Sequence, residues 1–146
     1  QMVFLPEEQE IIEDILNNSS DRKVQENAIF ALNQHNSPRA SAILRSWAES
    51  NSRPADLRKN AIFHLAQQKA GASDDLSRAY DASLPIGLKK DLLFHIAQRK
   101  DDASLTKLIT IAKNEPNQQL RKDALFHLAQ SRDERALKAL EEIAIP

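Results

Sequence analysis

LRKDALFHLAQ, residues 120–130, is the last of four copies of one phrase. The others read VQENAIFALNQ from Val24, LRKNAIFHLAQ from Leu57 and LKKDLLFHIAQ from Leu88. Their first residues lie 33, 31 and 32 positions apart, which makes the chain an array of short units of nearly constant length. A fixed period in this range is the mark of a solenoid, in which no unit buries its own apolar face and each needs its neighbours.

The spacing predicts a helical hairpin for each unit. After the phrase comes a polar break: His35-Asn36-Ser37, Gln68 to Ala72, Arg99 to Asp102, Ser131 to Asp133. A second amphipathic run follows. In the last unit it is Ala136, Leu137, Leu140, Ile143 and Ala144, the spacing of a helix stripe. Earlier runs are Ala42, Ile43, Trp47 and Ala48, then Leu76, Ala79 and Tyr80, then Leu105, Leu108, Ile109, Ile111 and Ala112. Pro54, Pro85 and Pro116 stand just ahead of the next phrase as breakers, whereas Pro38 sits where a helix start tolerates a missing N–H. The opening, Leu5-Pro6 through Ile11, Ile12, Ile15 and Leu16, aligns with the second helix of an incomplete unit. The expectation is one domain over residues 1–146, with a partial repeat over 1–20 and repeats over about 21–52, 53–84, 85–116 and 117–146. Gln1-Met2 at one end, and the uncapped Ile145-Pro146 at the other, read as the edges of a fragment of a longer chain.

Composition fits a helical array. The apolar share is 41% with only 5% aromatic, as expected of a thin core filled by Leu, Ile and Ala. No run approaches the ~18 apolar residues of a membrane span, and no export signal is visible. Cysteine is absent, which excludes disulfides and thiolate chemistry in this segment and is compatible with cytoplasm or periplasm alike.

An apolar residue followed by a basic one, Ala four positions on and Leu or Ile four further resembles the HEAT repeat. Leu57-Arg58 with Ala61 and Leu65, and Leu120-Arg121 with Ala124 and Leu128, carry the pattern; Leu88-Lys89 with Leu92 and Ile96 is a looser copy. The short bacterial HEAT-like variety, including the phycobilisome-lyase group, is the nearest in unit length. The resemblance covers essentially the whole chain and implies an all-α, α-α superhelix of about four and a half two-helix repeats. It also implies a binding platform within a longer bacterial polypeptide, with Arg58 and Arg121 tying one unit to the next. Asp56 is the acceptor expected for Arg58.

Setting Leu120 at 0° with about 100° per residue, Ala124, Leu128, Leu125 and Ala129 fall between roughly 40° and 180°, the core arc. Phe126 and His127 fall outside it. Equivalent positions form columns: Phe30, Phe63, Phe94 and Phe126; then His64, His95 and His127; and a basic one of Lys59, Lys90 and Lys122. Packing between units is the first expectation for the Phe rings, with an exposed aromatic stripe that receives a partner as the alternative. Each His stands four residues after Asn60, Asp91 or Asp123, close enough for a local hydrogen bond. The carboxylates at Asp91 and Asp123 are expected to favour the charged imidazole. The lysines read as a solvated face. Trp47 and Tyr80 both lie on apolar stripes; Trp47 is expected in the core, while the Tyr80 hydroxyl can reach the surface and makes Tyr80 a candidate contact.

Two His one unit apart are too distant to share an ion with ~2.0 Å bonds, so no metal site is expected. Residues 1–50 carry a net −4 and residues 51–146 a net +3, which is no basic footprint for nucleic acid. There is no His-Glu dipeptide, GxSxG, Gly-rich phosphate loop or HExxH. The sequence therefore points to a non-catalytic protein- or peptide-binding scaffold without cofactor, with His64, His95, His127, Phe63, Phe94, Phe126 and Tyr80 as candidate contacts. A HEAT-like enzyme or lyase relative is the alternative, or a nucleic-acid binder using the weak basic column of Lys59, Lys90 and Lys122, and the polar positions of the second helices are the expected lining of a groove.

Overall fold

Helix starts are written into single residues. Asp21, Ser37, Asp101, Asn117 and Asp133 each sit in extended backbone and accept from amides one turn into the helix that follows, such as Ser104 N to Asp101 at 2.8 Å. These bonds satisfy N–H groups that the helix cannot pair internally. Pro54 and Pro85 hold the cap positions of two further helices by their fixed φ alone, with no side-chain bond. Pro38 occupies the first turn of its helix, as the sequence predicts.

In the computed structural model these signals give helices and no strand among the described residues, which are 6–69, 72–82 and 84–145, with side chains described from residue 10 on. The phrase helices are α2 (Arg22–Asn33), α4 (Ala55–Gln67), α6 (Ile86–Gln98) and α8 (Gln118–Gln130). Their partners are α3 (Pro38–Glu49), α5 (Ala72–Asp81), α7 (Asp102–Asn114) and α9 (Glu134–Ala144), with α1 (Pro6–Asn18) ahead of them. Leu5, at the start of the partial repeat, lies outside the described residues, as do Gln1, Met2 and Pro146.

The helices form two compact units, Gln1–Leu84 and Pro85–Pro146, whose boundary falls on a repeat edge read from the sequence. Within the first, α1 packs on α2, α2 on α3 and α4, and α5 on both α3 and α4. Within the second, α6 packs on α7 and α8, and α9 on α7 and α8. In each unit a phrase helix meets the next phrase helix and a partner helix meets the next partner helix. This gives two layers with the apolar positions between them. Leu32, Ile62, Leu65 and Leu76 are fully enclosed in one, and Leu92 and Leu120 in the other. Trp47 is buried, with the Arg53 guanidinium 4.0 Å above its ring.

Polar side chains stitch neighbouring repeats together. Arg22 of α2 pairs with Asp56 of α4, and the Gln68 amide donates to the Asn33 carbonyl at 3.1 Å. Arg39 of α3 reaches Glu13 of α1 at 2.8 Å, which puts α1 beside α3. Arg45 of α3 meets Asp75 of α5 at 3.1 Å; burial pushes the Asp75 carboxyl above its ordinary range and Arg45 offsets part of that. In the second unit Lys113–Glu142 and Arg135–Asp102, each at 2.8 Å, join α7 to α9.

Three expectations are corrected. Asp56 is not the acceptor for Arg58: it pairs with Arg22, while Arg58 turns into the core. The Arg58 Nε donates to the Ala48 carbonyl at 2.9 Å, at the C-terminus of α3. The stripe of α9 runs through Ala136 and Ala139 rather than Leu137 and Ala144, which are exposed. Ala136 and Ala139 are buried on the side of α9 that packs on α7 and α8, and Leu137 is exposed. Ile11 and Ile15 of α1 are exposed as well, and only Leu16 of that expected stripe is fully buried.

Candidate functional site

The phrase helices present their outer edge as alternating Phe and His. Leu57, Ala61 and Leu65 take the buried face of α4, so helical geometry turns Phe63 outward and leaves His64 at the flank. The same arithmetic acts on α6 and α8. Phe30, Phe63, Phe94 and Phe126 are 55%, 48%, 49% and 61% exposed, which corrects the expectation of rings closed between units. Half of each ring stays in water.

The contacts they make are to imidazoles. In the first unit Phe30 meets His64 of the next repeat edge-on, with ring centroids 6.0 Å apart. In the second, Phe94 meets His127 in the same way at 6.3 Å. Each His also touches the Phe before it in sequence: 5.3 Å for Phe63–His64, 5.5 Å for Phe94–His95 and 5.6 Å for Phe126–His127. Edge-to-face contact places a positive ring edge on a π face, so each imidazole props a neighbouring Phe without covering it. Phe30 has Ala31 in place of the adjoining His.

The predicted bond from each His to the residue four before it is absent at His64, whose buried Nδ1 has no hydrogen-bond partner. At His95 charge behaves against expectation too: burial outweighs the Asp91 carboxylate and lowers the imidazole pKa, and burial likewise holds His64 below its ordinary value of 6.5. Desolvation against ring faces disfavours the cation more than one partly hydrated carboxylate favours it.

The sign of the pH effect follows. The unfolded chain binds protons at these two sites more readily than the folded one. Their contribution to stability is therefore complete above pH ~6.5 and is lost as pH falls through the lowered folded values. The thermal midpoint is expected to drop between pH 7.5 and 5.5, and to drop less in a His64→Gln, His95→Gln variant. Calorimetry at four pH values measures both slopes; equal slopes would mean that the imidazoles are hydrated.

Tyr80 is not part of this surface. It is 3% exposed on α5 and belongs to the core, because α5 faces both α3 and α4. Lys59, Lys90 and Lys122 are exposed beside the rings, as a solvated face requires. Among the described residues no group of three or more His, Asp or Glu could hold a metal ion.

In the second unit the stripe borders a cavity of about 830 Å³, within the range of ligand pockets. Phe94 and Phe126 line it, as do Leu105 and Leu108 in the first half of α7. Ser104 also lines it, 1% exposed, with its enclosed hydroxyl lacking a hydrogen-bond partner. The break residues Lys100 and Arg132 stand at the rim. Both come twelve positions after the start of their phrase, as Lys69 does in the second repeat. That recurrence was visible in the sequence, but periodicity ranks core faces and says nothing of where a break leads. The expected lining from polar positions of the partner helices does not describe this cavity, which is built from helix ends and breaks.

A scan against known protein families finds no match, and a search of curated proteins finds none either. No described helix is long and apolar enough to cross a membrane.

Proposed function

We propose that the chain is a non-catalytic protein- or peptide-binding module, an α-α superhelix of HEAT-like repeats that needs no cofactor. One observation carries this reading: four equivalent phenylalanines, one per repeat, stay about half exposed on ordered helices, each in edge-on contact with an imidazole. Large apolar rings held at the surface cost solvation, and a regular set of them supplies anchors of the kind that dominate interfaces. Helix-borne anchors are also rigid, which limits the entropy lost on binding.

The resemblance to HEAT repeats supports the same reading, since such arrays mostly work as platforms. The packing of like helix on like helix within each unit is the arrangement a superhelix of hairpins requires. The partner of such rings is another polypeptide.

The test is selection of a displayed random dodecapeptide library on the immobilised chain, repeated with all four Phe changed to Ala. Peptides enriched on wild type are expected to bind the variant at least tenfold more weakly, with helix content unchanged by circular dichroism. No enrichment, or equal binding to both, would overturn the reading.

A further inference from the structure

The geometry points to the cavity of the second unit as the seat of an acidic peptide segment that carries an apolar side chain. This rests on the peptide-binding reading above and adds the site and the chemistry of its occupant. Three features converge on one space of about 830 Å³.

The first is an apolar slot. Phe94 and Phe126, 49% and 61% exposed, line the cavity together with Leu105 and Leu108. A Leu or Phe side chain entering between the rings would leave water on both faces. His127, edge-on to Phe94 at 6.3 Å, keeps that ring from folding over the opening.

The second is charge. Lys100 and Arg132 are exposed at the rim, and neither makes an ion pair or a hydrogen bond among the described residues. The remaining lining charges are already committed. Arg99 pairs with Asp101 at 3.4 Å, and the Asp133 carboxylate caps α9 by accepting from the Arg135 amide at 2.8 Å. Two free cations flanking an apolar slot complement carboxylates on either side of an apolar residue. An anionic partner would gain on-rate and register from them.

The third is an unused donor. The Ser104 hydroxyl is enclosed and has no hydrogen-bond partner, although such groups are almost always satisfied. A backbone carbonyl of an entering peptide would accept from it.

The experiment takes the consensus peptide from the wild-type selection, labels it with fluorescein and follows anisotropy on the full chain. The selected pool is expected to be enriched in Asp and Glu around one or two apolar residues. K100E/R132E, at two exposed positions, is expected to weaken binding at least tenfold with an unchanged circular dichroism spectrum. The same peptide with its apolar residues changed to Ala is expected to lose tenfold despite an unchanged charge, which separates seating from general attraction. A pool without acidic excess, or binding to K100E/R132E within twofold of wild type, overturns the pocket assignment and leaves the module reading in place. A charge-matched Ala peptide that binds equally well also overturns the pocket. Failure to enrich any peptide overturns both.

Discussion

Leu65→Ala will lower the stability of the chain by about 3 kcal/mol, whereas Phe63→Ala, two residues away on the same helix, will lower it by about 1 kcal/mol or less. The contrast runs against residue size and follows from position alone. Leu65 is fully enclosed, so its loss removes transfer energy and leaves a void that α2, α3 and α5 cannot close without moving. Phe63 is already 48% exposed and loses chiefly its edge contact with His64. Urea unfolding followed by circular dichroism measures both, with the midpoint shifting while the slope stays fixed. Equal losses would mean that the Phe63 ring is packed in solution, and the exposed aromatic stripe would go with it. For a chain of this length the Leu65 variant should melt about 6–12 °C lower.

The pairing of helices was legible because it rests on local chemistry. Polar breaks, Pro at a first turn and a 3.6-residue stripe act within one helix. Pro38 at the head of α3 is an instance. What failed depends on how helices lie against each other. Whether the buried arc of α9 extends from Ala136 towards Leu137 or towards Ala139 turns on a rotation of tens of degrees, set by how α9 lies on α7 and α8. Tyr80 reads as a candidate contact because its hydroxyl can reach the surface, yet α5 packs on two neighbours. The protonation of His95 was misread because spacing shows the Asp91 carboxylate and hides the desolvation that outweighs it. The half-exposed Phe column was the alternative left open, since a wheel tells core from non-core and cannot tell a covered flank from a bare one. Within the cavity, Phe94, Phe126 and His127 were singled out in advance, but Ser104, Lys100 and Arg132 were not. Their meeting requires the path of two breaks, which no period encodes.

Arg58→Ala is expected to be the second severe change, at about 2–3 kcal/mol, although a basic residue at the head of a helix would ordinarily be exchangeable. Arg58 is 5% exposed, and its Nε donates to the Ala48 carbonyl at 2.9 Å. That carbonyl belongs to the last turn of α3, whose final C=O groups have no partner within the helix. A guanidinium there also meets the negative end of the helix dipole. Its second arm reaches Asn51 at 3.4 Å, so one side chain joins α4 to α3 and to the break between them. Truncation would strand a buried carbonyl and open a void along the aliphatic stem at once. Lys cannot replace it, because a single ammonium lacks the fork that spans both acceptors, and Arg58→Lys should recover less than half of the loss. Arg121 supplies the comparison. It donates to the Glu115 carbonyl at 2.9 Å in the equivalent place but is only partly buried, so Arg121→Ala should cost about 1 kcal/mol. Urea midpoints of the three variants against wild type give the ranking. A result in which Arg121 matters as much as Arg58 would mean that the bond to the preceding helix, rather than burial, sets the energy of this position.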